Sequence, residues 1–189
     1  ILSAGQGRRL LPLTENTPKC LLAVADKPVI AWQIDALINA GIDSITIVGG
    51  FQIGKVEALI AQRYAAYPEI RVCFNPFYEV ADNLASCWIV RDRMEGNFVL
   101  INGDTLFETT LVAHVLQSEY APITLSVDYK ETFDEDSKKI SKISKIGISQ
   151  NCNFMKKAKS FTIIAYFSFI SAFSGAGDGM VVCWDVQHP

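Results

Sequence analysis

A chain of 189 residues fits a single domain, and with 50% of them apolar it can bury a sizeable core. A net charge of −3 carries no general nucleic-acid footprint, and no apolar run reaches the length of a membrane span, so neither nucleic acid nor membrane is an expected partner. Cys20, Cys73, Cys87, Cys152 and Cys183 are scattered, odd in number and without a CxxC pair, which argues against zinc and for reduced thiols in a cytoplasmic protein.

The chain opens on Ile1-Leu2, read as the end of a strand that has lost a few residues at its start. Ser3-Ala4-Gly5-Gln6-Gly7 then forms a small-residue turn, followed by Arg8-Arg9, a Pro12-Leu13-Thr14 bend and the pair Pro18-Lys19. Glycine lets the backbone take positive φ and approach a ligand closely. Successive N–H groups in such a turn face one concavity and bind anions. Arg8 and Arg9 add guanidinium forks suited to phosphate oxygens, and Lys19 returns as a point charge. Gly-x-Gly alone reads equally as an ordinary strand-to-helix turn with solvated charges. A Walker-type loop is excluded because no Gly-Lys-Ser/Thr follows. Leu10 stands where a dinucleotide-binding Gly-x-Gly-x-x-Gly would need its third glycine.

The complete string, Leu-Ser-Ala-Gly-x-Gly-x-Arg-Leu-x-Pro-Leu-Thr-x-x-x-Pro-Lys over residues 2–19, resembles the signature of the nucleotidyltransferases that make nucleotide-sugars and related CDP-alcohols. The resemblance implies a loop that wraps the triphosphate of an incoming NTP. Ser3 and Ala4 lead into that loop, Gly5 and Gly7 are its glycines, Arg9 is the motif arginine and Lys19 the motif lysine. Arg8 falls where the family often has Thr or Ser. The implied fold is an α/β, Rossmann-like three-layer sandwich on a mostly parallel, mixed central sheet of the nucleotide-diphospho-sugar transferase kind.

Beyond the loop, Val29 to Ala40 reads as a helix with Ile30, Ile34, Leu37 and Ile38 on one face and Gly41 as its C-terminal cap. Ser44 to Val48 is a β-branched strand stopped by Gly49-Gly50. Ile53 to Tyr64 is a second helix with Val56, Leu59 and Ile60 inward, and Ile70 to Phe74 is a third strand. Alternating strand and helix argues for a mostly parallel sheet covered on both faces.

Asn75-Pro76 breaks that strand, and Asp82 is placed to cap a helix running to about Arg93. Ligands in open α/β sheets sit beyond the carboxyl ends of the strands, which puts Asn75, Tyr78 and Asn83 near the glycine loop. Singly, Asn83 reads as a helix cap, and Tyr78 and Trp88 read as core. Together the segment resembles the Asn-Pro-x-Tyr … Asn-x-x-Ser stretch of family members acting on phosphocholine or inositol phosphate. By that resemblance Asn75 and Asn83 border the nucleotide, and Tyr78 and Ser86 the acceptor.

Phe98 to Ile101 is a continuous apolar strand of the kind found at the centre of a parallel sheet. Asn102-Gly103-Asp104 follows it. A carboxylate just past a central strand faces the crevice, and magnesium takes one or two carboxylates plus substrate phosphates. Asp104 is therefore the expected metal ligand, with an Asx turn as its plainer reading. The family carries Gly-Asp here for the metal, with Gly103 at the nucleotide.

Leu111 to Glu119 reads as a helix with Leu111, Val112, Val115 and Leu116 inward, and Ile123 to Tyr129 alternates as a half-buried strand. The polar run from Glu131 to Lys145 reads as a loop or edge hairpin. The family has a phosphate-reaching lysine here, for which Lys142 and Lys145 are both candidates; solvated edge lysines are the other reading. Phe161 to Ile170 is an apolar strand, and the glycine-rich run Ser174 to Gly179 a turn. The close, Cys183-Trp184-Asp185-Val186-Gln187-His188-Pro189, faintly resembles the family's Trp-x-Asp-Val-Asp-Thr-Pro, which supplies a second metal carboxylate. Gln187 and His188 stand where Asp and Thr belong, leaving Asp185 as the candidate after a shift. Family chains continue further, so this one is expected to be truncated.

The expected activity is transfer of NMP from an NTP, CTP foremost, to a phosphorylated small alcohol or sugar, with Mg2+ as cofactor and pyrophosphate released. Such chemistry asks for positioning and charge stabilisation, and the inventory is glycine, arginine, lysine and aspartate. His114 and His188, the only histidines, have no triad-like partner. The rivals are a hexose-1-phosphate uridylyl- or thymidylyltransferase and a non-catalytic nucleotide-binding module.

Overall fold

The computed structural model describes residues 1–80, 83–94, 96–117, 123–125 and 164–167. The chain divides into two compact units: Ile1–Met94 with Asn102–Ala113, and Glu95–Ile101 with His114–Pro189.

In the first unit, β1 (Leu2–Ser3), β4 (Ile45–Gly49) and β5 (Ile70–Phe74) form a parallel sheet in the order β1-β4-β5. Leu2 faces Val48, and Ile45 to Gly49 run in step with Ile70 to Phe74. On the other side of β1, Asn102 bridges Leu2 in parallel, and the Gly103 amide donates to the Leu2 carbonyl at 2.7 Å. The carboxyl ends of these strands and the Asn102–Asp104 turn therefore share one edge, where α/β sheets bind ligands. In β4 all but Thr46 are buried, as both-face coverage demands.

Helix α1 (Val29–Asn39) buries Ile30, Ile34 and Leu37. Each such side chain contributes roughly 1.5–3 kcal/mol on leaving water. Gly41 at φ 87 ends the helix, its amide donating to Ile38 while the Ile42 amide reaches Leu37, both at 2.9 Å. Only a residue without Cβ takes that conformation freely. Helix α2 (Ile53–Arg63) buries Val56 and Ile60. Between the loop and α1, β2 (Ala23–Val24) and β3 (Lys27–Pro28) form a tight antiparallel hairpin, with Ala25 and Asp26 both at positive φ. Asp35 ties this hairpin and the two helices together. It accepts from Lys27 Nζ at 2.6 Å, from the Tyr64 hydroxyl at 2.6 Å and from Arg63 at 3.2 Å. Burial pushes the Asp35 carboxyl up, but the bonds from Lys27, Tyr64 and Arg63 outweigh it and hold the carboxyl below its ordinary range.

Helix α3 spans Asn83–Ile89, and a 3-10 turn follows at Arg91–Arg93, so the helix expected to run to about Arg93 is shorter. Asp82 lies outside the described residues. Helix α4 begins at Thr109, two residues earlier than its apolar pattern, and ends at Leu116.

The second unit contains β6 (Phe98–Ile101), β7 (Ile123–Leu125) and β8 (Ile164–Phe167), in the order β6-β8-β7. Both pairings are antiparallel, Phe98 and Ile123 each facing Phe167. The apolar run of β6 suggested parallel neighbours; its ladder partner is instead antiparallel, because a strand buried on both faces reads the same in either sheet.

Candidate active site

The glycine loop leaves β1 at Ser3 and turns at Gly7, which is left-handed at φ 64. The Gly7 carbonyl accepts from Thr14 Oγ1 at 2.8 Å and from the Leu10 amide at 2.9 Å. A Cβ at Gly7 would come within 3.1 Å of both Lys19 Cβ and Thr14 Cγ2, so backbone conformation and space both select glycine. A Cβ at Gly5 would meet nothing within 4 Å. Arg8–Leu10 form one 3-10 turn that displays Arg8 and Arg9 at the surface.

Two polar residues outside the sequence expectation brace the loop. Arg8 Nε donates to Gln6 Oε1 at 2.6 Å, and Gln6 Nε2 donates to Glu79 Oε1 at 3.3 Å. The Tyr78 hydroxyl hydrogen-bonds with Glu79, which raises its pKa, and also with Gln6. The loop is thereby linked to the turn after β5.

Lys19 and Asp104 meet although 85 positions apart: Lys19 Nζ lies 2.5 Å from Asp104 Oδ2. Pro18 and a 3-10 turn at Lys19–Leu21 set the lysine, and the Asn102–Thr105 turn sets the carboxylate. Gly103 is packed against β1: a Cβ there would stand 2.5 Å from Ser3 Oγ and 2.8 Å from the Leu2 carbonyl. Cys20 is buried beneath, which pushes its thiol pKa up, and it hydrogen-bonds with Ser3. Ala4 is buried as well.

Asn75 and Ser86 differ from the expectation of ligand-facing residues. Both are buried, and the Asn75 amide nitrogen donates to Ser86 Oγ at 3.0 Å while its oxygen accepts from the Phe77 amide at 2.8 Å. The amide thus closes an Asx turn and holds α3 against it. Asn83 opens α3 and donates to Asn102 Oδ1 at 3.4 Å. Trp88, read singly as core, is 67% exposed with the Arg91 guanidinium 4.6 Å from its ring. Tyr78 is half-buried, its ring 6.3 Å from that of Phe74. Lys142, Lys145 and Asp185 lie outside the described residues. Among the described residues no group of three or more His, Cys, Asp or Glu is placed to hold a metal, and no helix is long and apolar enough to cross a membrane.

Sequence reasoning also passed over Gln33, fully buried on α1 with its amide on the Asn102 and Thr105 carbonyls. Its signal was a lone amide among Ile30, Ile34 and Leu37 on the buried face.

A parallel α/β unit with a glycine turn at its strand ends, and a lysine–carboxylate pair beside that turn, belongs to the class of α/β proteins whose strand ends are laid out for a ligand. The family described as nucleotidyl transferase matches residues 1–163, and the chain belongs to that family. Choline-phosphate cytidylyltransferase of Streptococcus pneumoniae is 34% identical over 120 residues, 64% of this chain and 50% of that protein. UTP–glucose-1-phosphate uridylyltransferase of Haloferax volcanii is 30% identical over 111 residues, 59% of this chain and 44% of that protein. The chain thus spans about half the length of these curated relatives or less. The inositol-1-phosphate CTP transferase of T. maritima superposes with a TM-score of 0.63 at 16% identity, covering 88% of this chain and 68% of that one. The fold is accordingly the Rossmann-like α/β fold of the nucleotide-diphospho-sugar transferases.

Proposed function

We propose that this protein is a cytidylyltransferase that joins CMP to a small phosphorylated alcohol. The observation that carries the reading is the Lys19–Asp104 pair beside the left-handed turn at Gly7, within a chain of the nucleotidyl transferase family. An acceptor phosphate oxygen attacks the α-phosphorus of the NTP in line. A P–O bond forms as the bond to the β-phosphate bridge breaks, and pyrophosphate leaves with its electron pair. Gly5 to Gly7 turn backbone N–H groups towards the phosphates, and Arg9 and Lys19 neutralise their charge. Asp104 keeps the Lys19 ammonium at the loop.

Magnesium fits the donor set. Asp104 offers a hard carboxylate beside the loop, and Mg2+ is typically held by one or two carboxylates together with substrate phosphates. Asp104 would hold the ion, with Asp185 as the candidate second carboxylate. The ion would neutralise charge developing between the phosphates and the leaving pyrophosphate. The other residues bind and orient. Gly103 packs the turn against Ser3 of β1, the Asn75–Ser86 bond holds α3 to the turn after β5, and Asn83, Tyr78 and Arg8 stand nearer the surface. Lys142 and Lys145 remain candidates for further phosphate contacts.

The similarity to the choline-phosphate enzyme supports CTP and a phosphorylated alcohol. The test is competition between equal CTP and UTP, with phosphocholine or glucose 1-phosphate as acceptor and magnesium present. Preferential formation of CDP-choline supports the assignment. Preferential formation of a UDP-hexose overturns the choice of substrates and leaves the transferase class standing.

A further inference from the structure

Gln33 is 1% exposed and sits among apolar neighbours on α1. Its Nε2 donates to the Asn102 carbonyl at 2.8 Å and to the Thr105 carbonyl at 2.7 Å. These carbonyls bracket Gly103 and Asp104 on both sides. Two converging acceptors need a group with two N–H donors, and a primary amide is the neutral side chain that supplies them. Among the described residues the partner atom, Gln33 Oε1, is buried without a hydrogen bond. An unmet buried acceptor is a cost that leucine or methionine would avoid while filling similar space. The amide is therefore explained by what its nitrogen does, not by packing. The same turn is held from the other side by the Gly103 amide on Leu2 and within itself by the Thr105 amide on Asn102 at 3.2 Å.

Resting on the reading of Asp104 given above, we infer that Gln33 is the positioning residue for the metal-carboxylate turn. It acts through backbone carbonyls to fix where the Asp104 side chain meets Lys19 and where it would hold the metal. Partners one step behind a metal ligand typically shift metal affinity or activity by about 10- to 100-fold.

The test uses Gln33→Met, which keeps side-chain length and removes both donors. In the ternary complex with CTP, Mn2+ affinity read from the free-ion electron paramagnetic resonance signal is expected to fall about tenfold or more, with a similar fall in kcat. CTP affinity without metal should stay within about twofold, because the glycine loop is untouched. Hydrogen exchange should quicken at the Gly103 and Thr105 amides while Ile47 and Val48 keep their protection. Parental Mn2+ affinity and parental exchange in Gln33→Met would overturn the inference. Should that variant not fold, exchange in the unmodified protein decides. Gly103 and Thr105 amides protected like those of β4 support a pinned turn, and loop-like exchange overturns it. Asp104→Asn separates the two claims. If that variant keeps Mn2+ affinity and turnover, the reading of Asp104 fails, whereas a dead Asp104→Asn beside a fully parental Gln33→Met removes only the role given to Gln33.

Discussion

Replacing Gly103 by alanine should damage both stability and catalysis. The added methyl would sit 2.5 Å from Ser3 Oγ, 2.6 Å from Ser3 Cβ and 2.8 Å from the Leu2 carbonyl. The Ser3 hydroxyl can rotate away, but the Leu2 carbonyl belongs to β1, which is in register with Val48 of β4 and accepts the Gly103 amide. Either the turn or the strand must yield by several tenths of an ångström. Overpacking of this kind costs about 1–3 kcal/mol. A gain of about 0.4–1 kcal/mol from a stiffer unfolded chain offsets part of it. Urea unfolding should therefore show a net loss of about 1–2 kcal/mol, and thermal unfolding a fall of about 2–4 °C for each kcal/mol at this chain length. Gly5→Ala is the control, because its methyl would point into open space and should leave stability within about 0.5 kcal/mol. Pyrophosphate release should also fall in Gly103→Ala, since the displaced turn carries Asp104. A Gly103→Ala protein as stable and as active as the parent would refute the argument that β1 constrains this turn.

Arg9→Ala should weaken NTP binding by about 1.5–3 kcal/mol in calorimetric titration, the worth of one charge-assisted contact; parental affinity would remove Arg9 from the phosphate site. Asp35→Asn should lower stability near neutral pH. The Asp35 carboxyl is held below its ordinary 3.8, so its contribution is complete above that pH and is lost as pH falls through the lower folded value. Unfolding curves of parent and variant should therefore converge in strong acid, and a difference that persists there would contradict the ionic account.

Much of the fold was legible. Ile70–Phe74 and Phe98–Ile101 have the limits their β-branched and apolar runs gave, and Val29 to Ala40 overlaps α1 to within a residue. These segments are decided by local pattern and by sharp breakers such as Asn75-Pro76 and Gly41. The β2–β3 hairpin was missed because its turn is Ala25-Asp26 rather than a glycine- or asparagine-based pair. The pairing of β6 with β8 was equally hidden, since an apolar strand does not encode the direction of its neighbour. At the site, the loop glycines, Lys19 and Asp104 could be named from spacing and resemblance. Asn75, Ser86 and Trp88 could not be sorted, because whether an amide faces a ligand or closes a turn depends on neighbours far along the chain. Asn75 and Ser86 went inside and Trp88 outside. Gln33 was overlooked for the same reason, as its two acceptors lie about 70 residues away.

The central claim, that Asp104 and the glycine loop form a nucleotidyl-transfer site, is tested most directly by pyrophosphate release. The parent and Asp104→Asn are assayed side by side with CTP, phosphocholine and Mg2+, after both are shown to be folded and to bind CTP. The account predicts steady, Mg2+-dependent release by the parent and loss of most of it in the variant. Equal release by both proteins, or CTP binding by the parent with no release across the four NTPs and a panel of phosphorylated acceptors, would contradict it.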